Sequence, residues 1–140
     1  MERNLPLSQL KKGMKLPEIE KKITQENINL YAQATRDLNP IHINQNFARN
    51  TPFQGTIAHG MMILAYIAQM MTAAFGRKWF DSSQFDVRFK TPARPGDILT
   101  VSGIIKDIDT NKEGTLVFCD VSCRNQKGEP VVIGEVRVQV

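Results

Sequence analysis

A chain of 140 residues, 41% hydrophobic and 23% charged, has the size and composition of one ordinary globular domain. Its net charge of +4 suits an anionic partner such as a nucleotide tail or an acidic carrier protein. The bases stand in separate pairs (Lys11-Lys12, Lys21-Lys22, Arg77-Lys78) without interleaved aromatics, which argues against nucleic acid.

The N-terminal stretch MERNLPLSQLKKG is charged and has no apolar run, so no signal peptide is expected. Residues 15–23 read as a short lead-in strand ending at Thr24. Thr24 is a suitable N-cap, and Glu26 in the first turn faces the positive helix end. Ile28, Tyr31, Ala32 and Thr35 share one face of a helix over about 25–35. TRDLNPIH, residues 35–42, ends it, because Pro40 steers Asn39 away from the α region. A second short helix is expected over 44–50, capped by Asn44, and TPFQG then makes a turn.

From Thr51 to Gly76 there is no Lys, Arg, Asp or Glu. A membrane span needs ~20 apolar residues, but this stretch contains Gln54, His59, Gln69 and Thr72. It reads as a helix of a globular protein, apolar on every side and buried all round. Arg77 and Lys78 follow its end. From Ser83 the pattern alternates: FDVRFKTP, ILTVSGIIKDID, GTLVFCDVSCRN and PVVIGEVRVQV are strands. TNKEG and QKGEP are tight turns between antiparallel neighbours. Cys119 and Cys123 lie in one such strand with no paired histidine beside them. Neither a disulfide framework nor a metal set follows, and reduced thiols in the cytoplasm are expected. A long buried helix and a one-faced antiparallel sheet cover each other best when the sheet curls around the helix, the α+β arrangement called the hot-dog fold.

The sequence holds only two histidines, which limits the chemical centres. Asp37 and His42 could hold a water between two acceptors for general acid–base work, or form a turn followed by a hydrogen-bonded strand histidine. His59-Gly60 falls where the long helix begins, and its free N–H groups suit a developing oxyanion. His59 reads equally as a capping or core residue. Met61, Met62 and Tyr66 are core filler or the lining of an acyl tunnel. No GxSxG, GxGxxG or phosphate loop occurs.

YAQATRDLNPIHINQNFA followed by TIAHGM resembles the MaoC-like, (R)-specific enoyl-CoA hydratase family. The matching residues are Tyr31, Asp37, Asn39, Pro40, Ile41, His42 and Ala48, with Arg88, Phe89, Pro92, Pro95, Gly96 and Asp97 in VRFKTPARPGDIL. The resemblance implies one hot-dog domain over 1–140. It implies that Asp37 and His42 hold the water that adds to a trans-2-enoyl thioester, or leaves from a (3R)-hydroxyacyl thioester. It places the Gly60 N–H on the thioester oxygen, with His59 and Asn39 beside it as substrate-binding candidates. No metal or redox cofactor is implied; CoA or acyl carrier protein enters with the substrate. A dimer, of like or unlike subunits, is implied too. The chain departs from the family at Thr35-Arg36, where Ser-Gly is usual, and at Ala68, where some members have serine. Arg36 could pair with Asp37 or, with Arg88, Lys90 and Arg94, meet substrate phosphate. An acyl-thioesterase and a non-catalytic acyl-thioester-binding subunit are the rival readings.

Overall fold

In a computed structural model the described residues, 5–140, begin with a single-turn 3-10 helix, Leu7–Gln9. The first four residues of the charged N-terminal stretch lie outside them. There follow β1 (Ile19–Lys22), α1 (Gln25–Thr35), α2 (Pro40–Ile43), α3 (Gln45–Arg49), α4 (Gly60–Phe75) and α5 (Arg77–Asp81). Strands β2 (Ser83–Phe89), β3 (Ile98–Asn111), β4 (Gly114–Arg124) and β5 (Pro130–Gln139) complete the chain. The sheet is antiparallel, in the order β1-β3-β4-β5-β2. The turns at 112–113 and 125–129 make β3, β4 and β5 neighbours, as tight turns must. Strand β2 crosses to the far edge and pairs with β5.

Alternation explains which face is inside. Val117, Cys119, Val121 and Cys123 of β4 meet Leu99, Val101 and Ile105 of β3 and Val132, Val136 and Val138 of β5 in one buried cluster. Helix α4 closes that cluster with Met62, Ile63, Ile67, Met70, Met71, Ala74 and Phe75. Each fully buried side chain of this size contributes about 1.5–3 kcal/mol, so this α4–sheet contact carries most of the fold. A bulge between Ile105 and Asp107 inserts Lys106 and switches the inward parity, so that Ile108 rather than Asp107 joins the core. Gly103 faces inward where a Cβ would sit 2.8 Å from the Leu16 side chain and 3.1 Å from that of Met70.

The expected wrapping of a curled sheet around one helix is what the chain adopts, with two differences. Helix α4 is not buried all round: Met61 is 64% exposed, and Ala65 and Gln69 continue the same stripe at four-residue spacing. Arg77 and Lys78 do not trail α4 but open α5, whose Trp79 is buried edge-on to Phe85. β2 begins at Ser83, where the sequence pattern changes. Among the described residues no helix is long and apolar enough to cross a membrane.

Cys119 and Cys123 are free thiols buried in the core. Burial pushes both up to about 12, helped at Cys119 by the Asp120 and Glu135 carboxylates. Only the thiolate is a nucleophile. An aromatic disulfide reagent at pH 8 is therefore expected to titrate neither thiol in the native protein and both in denaturant. Fast native labelling of either one would contradict this packing.

Candidate active site

The site is built in the excursion between β1 and α4. Thr24 caps α1 as expected, its Oγ1 accepting the Asn27 N–H at 3.0 Å. Helix α1 stops at Thr35 because Arg36 turns left-handed, φ 60° and ψ 23°. A residue with a Cβ is strained there and glycine is not, which is the backbone meaning of the Thr35-Arg36 departure. Arg36 is exposed, and no ion pair joins it to Asp37 among the described residues. Arg36→Gly is expected to raise stability by about 0.5–1 kcal/mol, read as a higher urea midpoint at unchanged slope. A lower midpoint would mean that the arginine side chain makes a stabilising contact.

The chain then reaches Asn39, whose side chain accepts the Ile41 N–H at 3.1 Å and caps α2. Pro40 takes the first helical position, where its missing N–H costs nothing. His42 is therefore a residue of a one-turn helix and not, as the bare turn reading had it, of a strand. Asn44 ends α2 and caps α3, accepting from the Phe47 N–H at 3.0 Å.

His42 Nδ1 lies 2.8 Å from the Ile57 carbonyl oxygen. A carbonyl only accepts, so Nδ1 carries a proton, and in the neutral ring Nε2 keeps its lone pair. By the same reasoning His59 Nε2–H donates to the Asp37 carbonyl, at 3.0 Å. The His59 ring is 2% exposed and stacks on His42, with centroids 3.8 Å apart and planes 25° apart. The Tyr31 ring is tilted against His59, with centroids 4.9 Å apart. The Nδ1 of His59 is buried with no hydrogen-bond partner among the described residues.

One ligand atom from each of Asp37, His42 and His59 falls within 4.8 Å of the others. The two histidines, unpaired in sequence, are thus paired in space. The geometry suits a shared water better than a metal. A metal lies in the plane of each imidazole that binds it, about 2.0–2.1 Å from nitrogen. Two stacked rings have their planes side by side, so an ion in one plane lies off the other. A water needs no such coplanarity, and two ordinary hydrogen bonds of about 2.8 Å bridge groups this close.

Gly60 opens α4 with His59 as its N-cap. The first N–H groups of a helix have no intrahelical partner, and no loop carbonyl among the described residues takes that of Gly60. A Cβ on Gly60 would stand 2.8 Å from the Phe89 ring, so the missing side chain admits Phe89. Gly60, Ile63, Phe53, Ile57, Phe89 and Val131 are among the residues around an apolar cavity of about 360 Å³.

The other candidates scatter. Met61 points to solvent, Met62 is core, and neither they nor Tyr66 line this cavity. Tyr66 is half-buried beneath Lys21, its hydroxyl pushed above the usual phenol range by burial and then by Cys123. Lys90 reaches the cavity, while Arg88 lies in a charged groove on the outer face of the sheet with Asp86, Asp120, Arg124 and Glu135. Arg94 donates to the Phe53 carbonyl and so ties down the 51–55 turn. Ala68 is half-buried on α4 and offers only its carbonyl, which accepts from Thr72.

Sequence reasoning passed over Gln25, Gln45 and Thr56. Their side chains form one hydrogen-bonded chain behind His42. A threonine and two glutamines far apart in sequence carry no local signature. Phe89 stood in the alternation and in the Arg88-Phe89 motif of the resemblance, but not among the candidate site residues.

A family model described as "MaoC like domain" matches residues 9–122. An "(R)-specific enoyl-CoA hydratase" of Rhodospirillum rubrum is 29% identical over 122 residues, covering 87% of this chain and 83% of that one. A "3-hydroxybutyryl-CoA dehydratase" of Methylorubrum extorquens is 30% identical over 127 residues, covering 87% and 76%. Among solved structures, an unliganded R-hydratase from Pseudomonas aeruginosa superposes with a TM-score of 0.82 at 28% identity, over 98% of this chain and 86% of that one.

Proposed function

The chain belongs to the MaoC-like domain family, and from that premise we propose that it catalyses reversible hydration of trans-2-enoyl thioesters, or dehydration of the (3R)-hydroxyacyl form. The observation that carries the reading is the His42 Nδ1–H bond to Ile57. It leaves the Nε2 lone pair free for a water, and a ring nitrogen of His42 and an Asp37 carboxylate oxygen lie within 4.8 Å of each other, close enough for one water to bond both. In hydration the water gives one proton to the Asp37–His42 pair as its oxygen forms the bond to C3, and the pair returns a proton to C2 as the C2–C3 π bond is lost. Negative charge gathers meanwhile on the thioester oxygen, where the Gly60 N–H at the start of α4 would receive it. Donors aimed at charge that develops in the transition state are each worth about 10²–10³ in rate. The apolar cavity beside Gly60 offers a place for the uncharged parts of the substrate, with Lys90 at hand for phosphate. The scheme calls on no metal or redox cofactor.

The proposed working unit is a pair of such chains. Strand β2 ends the sheet with one side unpaired, an edge that folded proteins cover or blunt, and the exposed Met61–Ala65–Gln69 stripe is a surface on α4 that a second subunit would cover.

Incubation with crotonyl-CoA tests the function, following the conjugated double bond and free thiol together. Loss of the double bond without thiol release is expected. Thiol release would replace this reading by a thioesterase. Inertness toward enoyl-CoA and enoyl-carrier substrates of several chain lengths would leave a binding subunit.

A further inference from the structure

Helix α2, which carries His42, buries none of its residues. Apolar packing therefore does not hold it in place, and something polar must. Its ring is held from one side by the Ile57 carbonyl, and Ile57 N–H returns a bond to the Ile41 carbonyl at 3.2 Å. Its backbone is held from the other side: Gln25 Nε2 donates to the His42 carbonyl at 2.8 Å. That carbonyl sits in the last turn of a short helix, where it has no helical partner.

The Gln25 amide is itself fully occupied. Its second N–H goes to Asn29 Oδ1 at 2.9 Å, and its oxygen accepts from Thr56 Oγ1 at 2.6 Å. Thr56 is 2% exposed and its hydroxyl also accepts from Gln45 Nε2 at 2.9 Å. A hydroxyl has one proton to give. Because Thr56 spends it on Gln25, the Gln25 amide is oriented with its N–H groups toward His42. Thr56 is also the residue directly before Ile57, so the two clamps on His42 meet in one dipeptide.

We infer that Thr56 and Gln25 are positioning residues for His42: through a network of neutral side chains they set the rotation of the imidazole and hence the direction of its Nε2 lone pair. The inference rests on the proposed role of His42 in holding the catalytic water. It differs from a merely stabilising role in what it predicts. Misplacing a reacting group by about 1 Å costs up to about 10²-fold in rate, without weakening ground-state binding.

The test uses Thr56→Val, which keeps shape but loses the hydroxyl, Thr56→Ser, which restores it, and Gln25→Met, at a half-buried position where folding is more tolerant. With crotonyl-CoA, Thr56→Val and Gln25→Met should lower kcat about 10–10²-fold with KM nearly unchanged, and Thr56→Ser should recover most of kcat. Nitrogen NMR of the His42 ring reads the same arrangement without turnover. The wild type should show the Nδ1–H form, and Thr56→Val and Gln25→Met a mixture of tautomers. Unchanged kcat together with an unchanged His42 tautomer in both folded variants would overturn the inference. If the wild type hydrates nothing but the variants still scramble the His42 tautomer, the proposed function fails and the positioning stands.

Discussion

His42→Gln and Asp37→Asn should each lower kcat/KM for enoyl-thioester hydration by about 10²–10⁴-fold, the usual worth of a positioned acid–base group, or ~3–5 kcal/mol of barrier. Glutamine removes the Nε2 lone pair that the Ile57 bond leaves available. Asparagine keeps the shape of Asp37 but not its charge, and one of its two acceptors becomes a donor. Neither change should unfold the protein. Asp37 is exposed, and among the described residues its carboxylate accepts only the Asn39 N–H, at 3.4 Å; His42 lies in a helix that buries nothing. The double mutant should lose little more than either single one, because in the proposed mechanism both groups hold the same water. Circular dichroism must match the wild type for the comparison to count. Wild-type turnover in either folded variant would remove that residue from the mechanism.

Gly134→Ala should be the most damaging small substitution in the sheet. A Cβ there would overlap the Asp86 carbonyl oxygen and stand 2.6 Å from Val87 Cα. These are backbone atoms of the paired strand β2, opposite Gly134 in the register. A side chain could rotate away, but a strand moves only by giving up ladder hydrogen bonds. A cost of about 3 kcal/mol or more is expected, which for a chain of this length lowers Tm by roughly 10 °C. Calorimetry of the two proteins side by side measures it. An unchanged Tm would show that β2 lies farther from β5 than the structure has it.

Where local chemistry decides, the chain can be read residue by residue. Thr24, Asn39 and Asn44 are caps because their short side chains accept the first free N–H groups of a helix, and the sequence placed two of the three correctly. Strands β3, β4 and β5 follow their alternation and begin within a residue of where the turns end. Sequence could not show that β2 crosses to β5, since no turn joins them. Nor could it show that His59 lies under His42: the separation of 17 residues is closed by the fold, not by periodicity. The exposed stripe on α4 was hidden because a helix apolar on all sides looks the same whether its last face is covered by its own sheet or by nothing. Arg36 has the reverse lesson. Read as a charge, it suggested an ion pair with Asp37; read as a backbone, it is the left-handed stop of α1.

The segment from Thr24 to Ala58 buries little: Ile28, Ala32, Ala48, Thr56 and Ala58 are its buried side chains, against the continuous core of α4 and the sheet. Its cohesion is mostly hydrogen bonding, which contributes about 0.5–1.5 kcal/mol per bond, net. The excursion is then a cooperative unit of its own, able to open while the sheet stays closed around α4. Heat or denaturant should reach the chemistry first, dispersing Asp37 and His42 before the strands exchange their amides. A protein built this way ages from the end that carries the proposed site, and an inactive sample that still looks folded is the form in which it would fail.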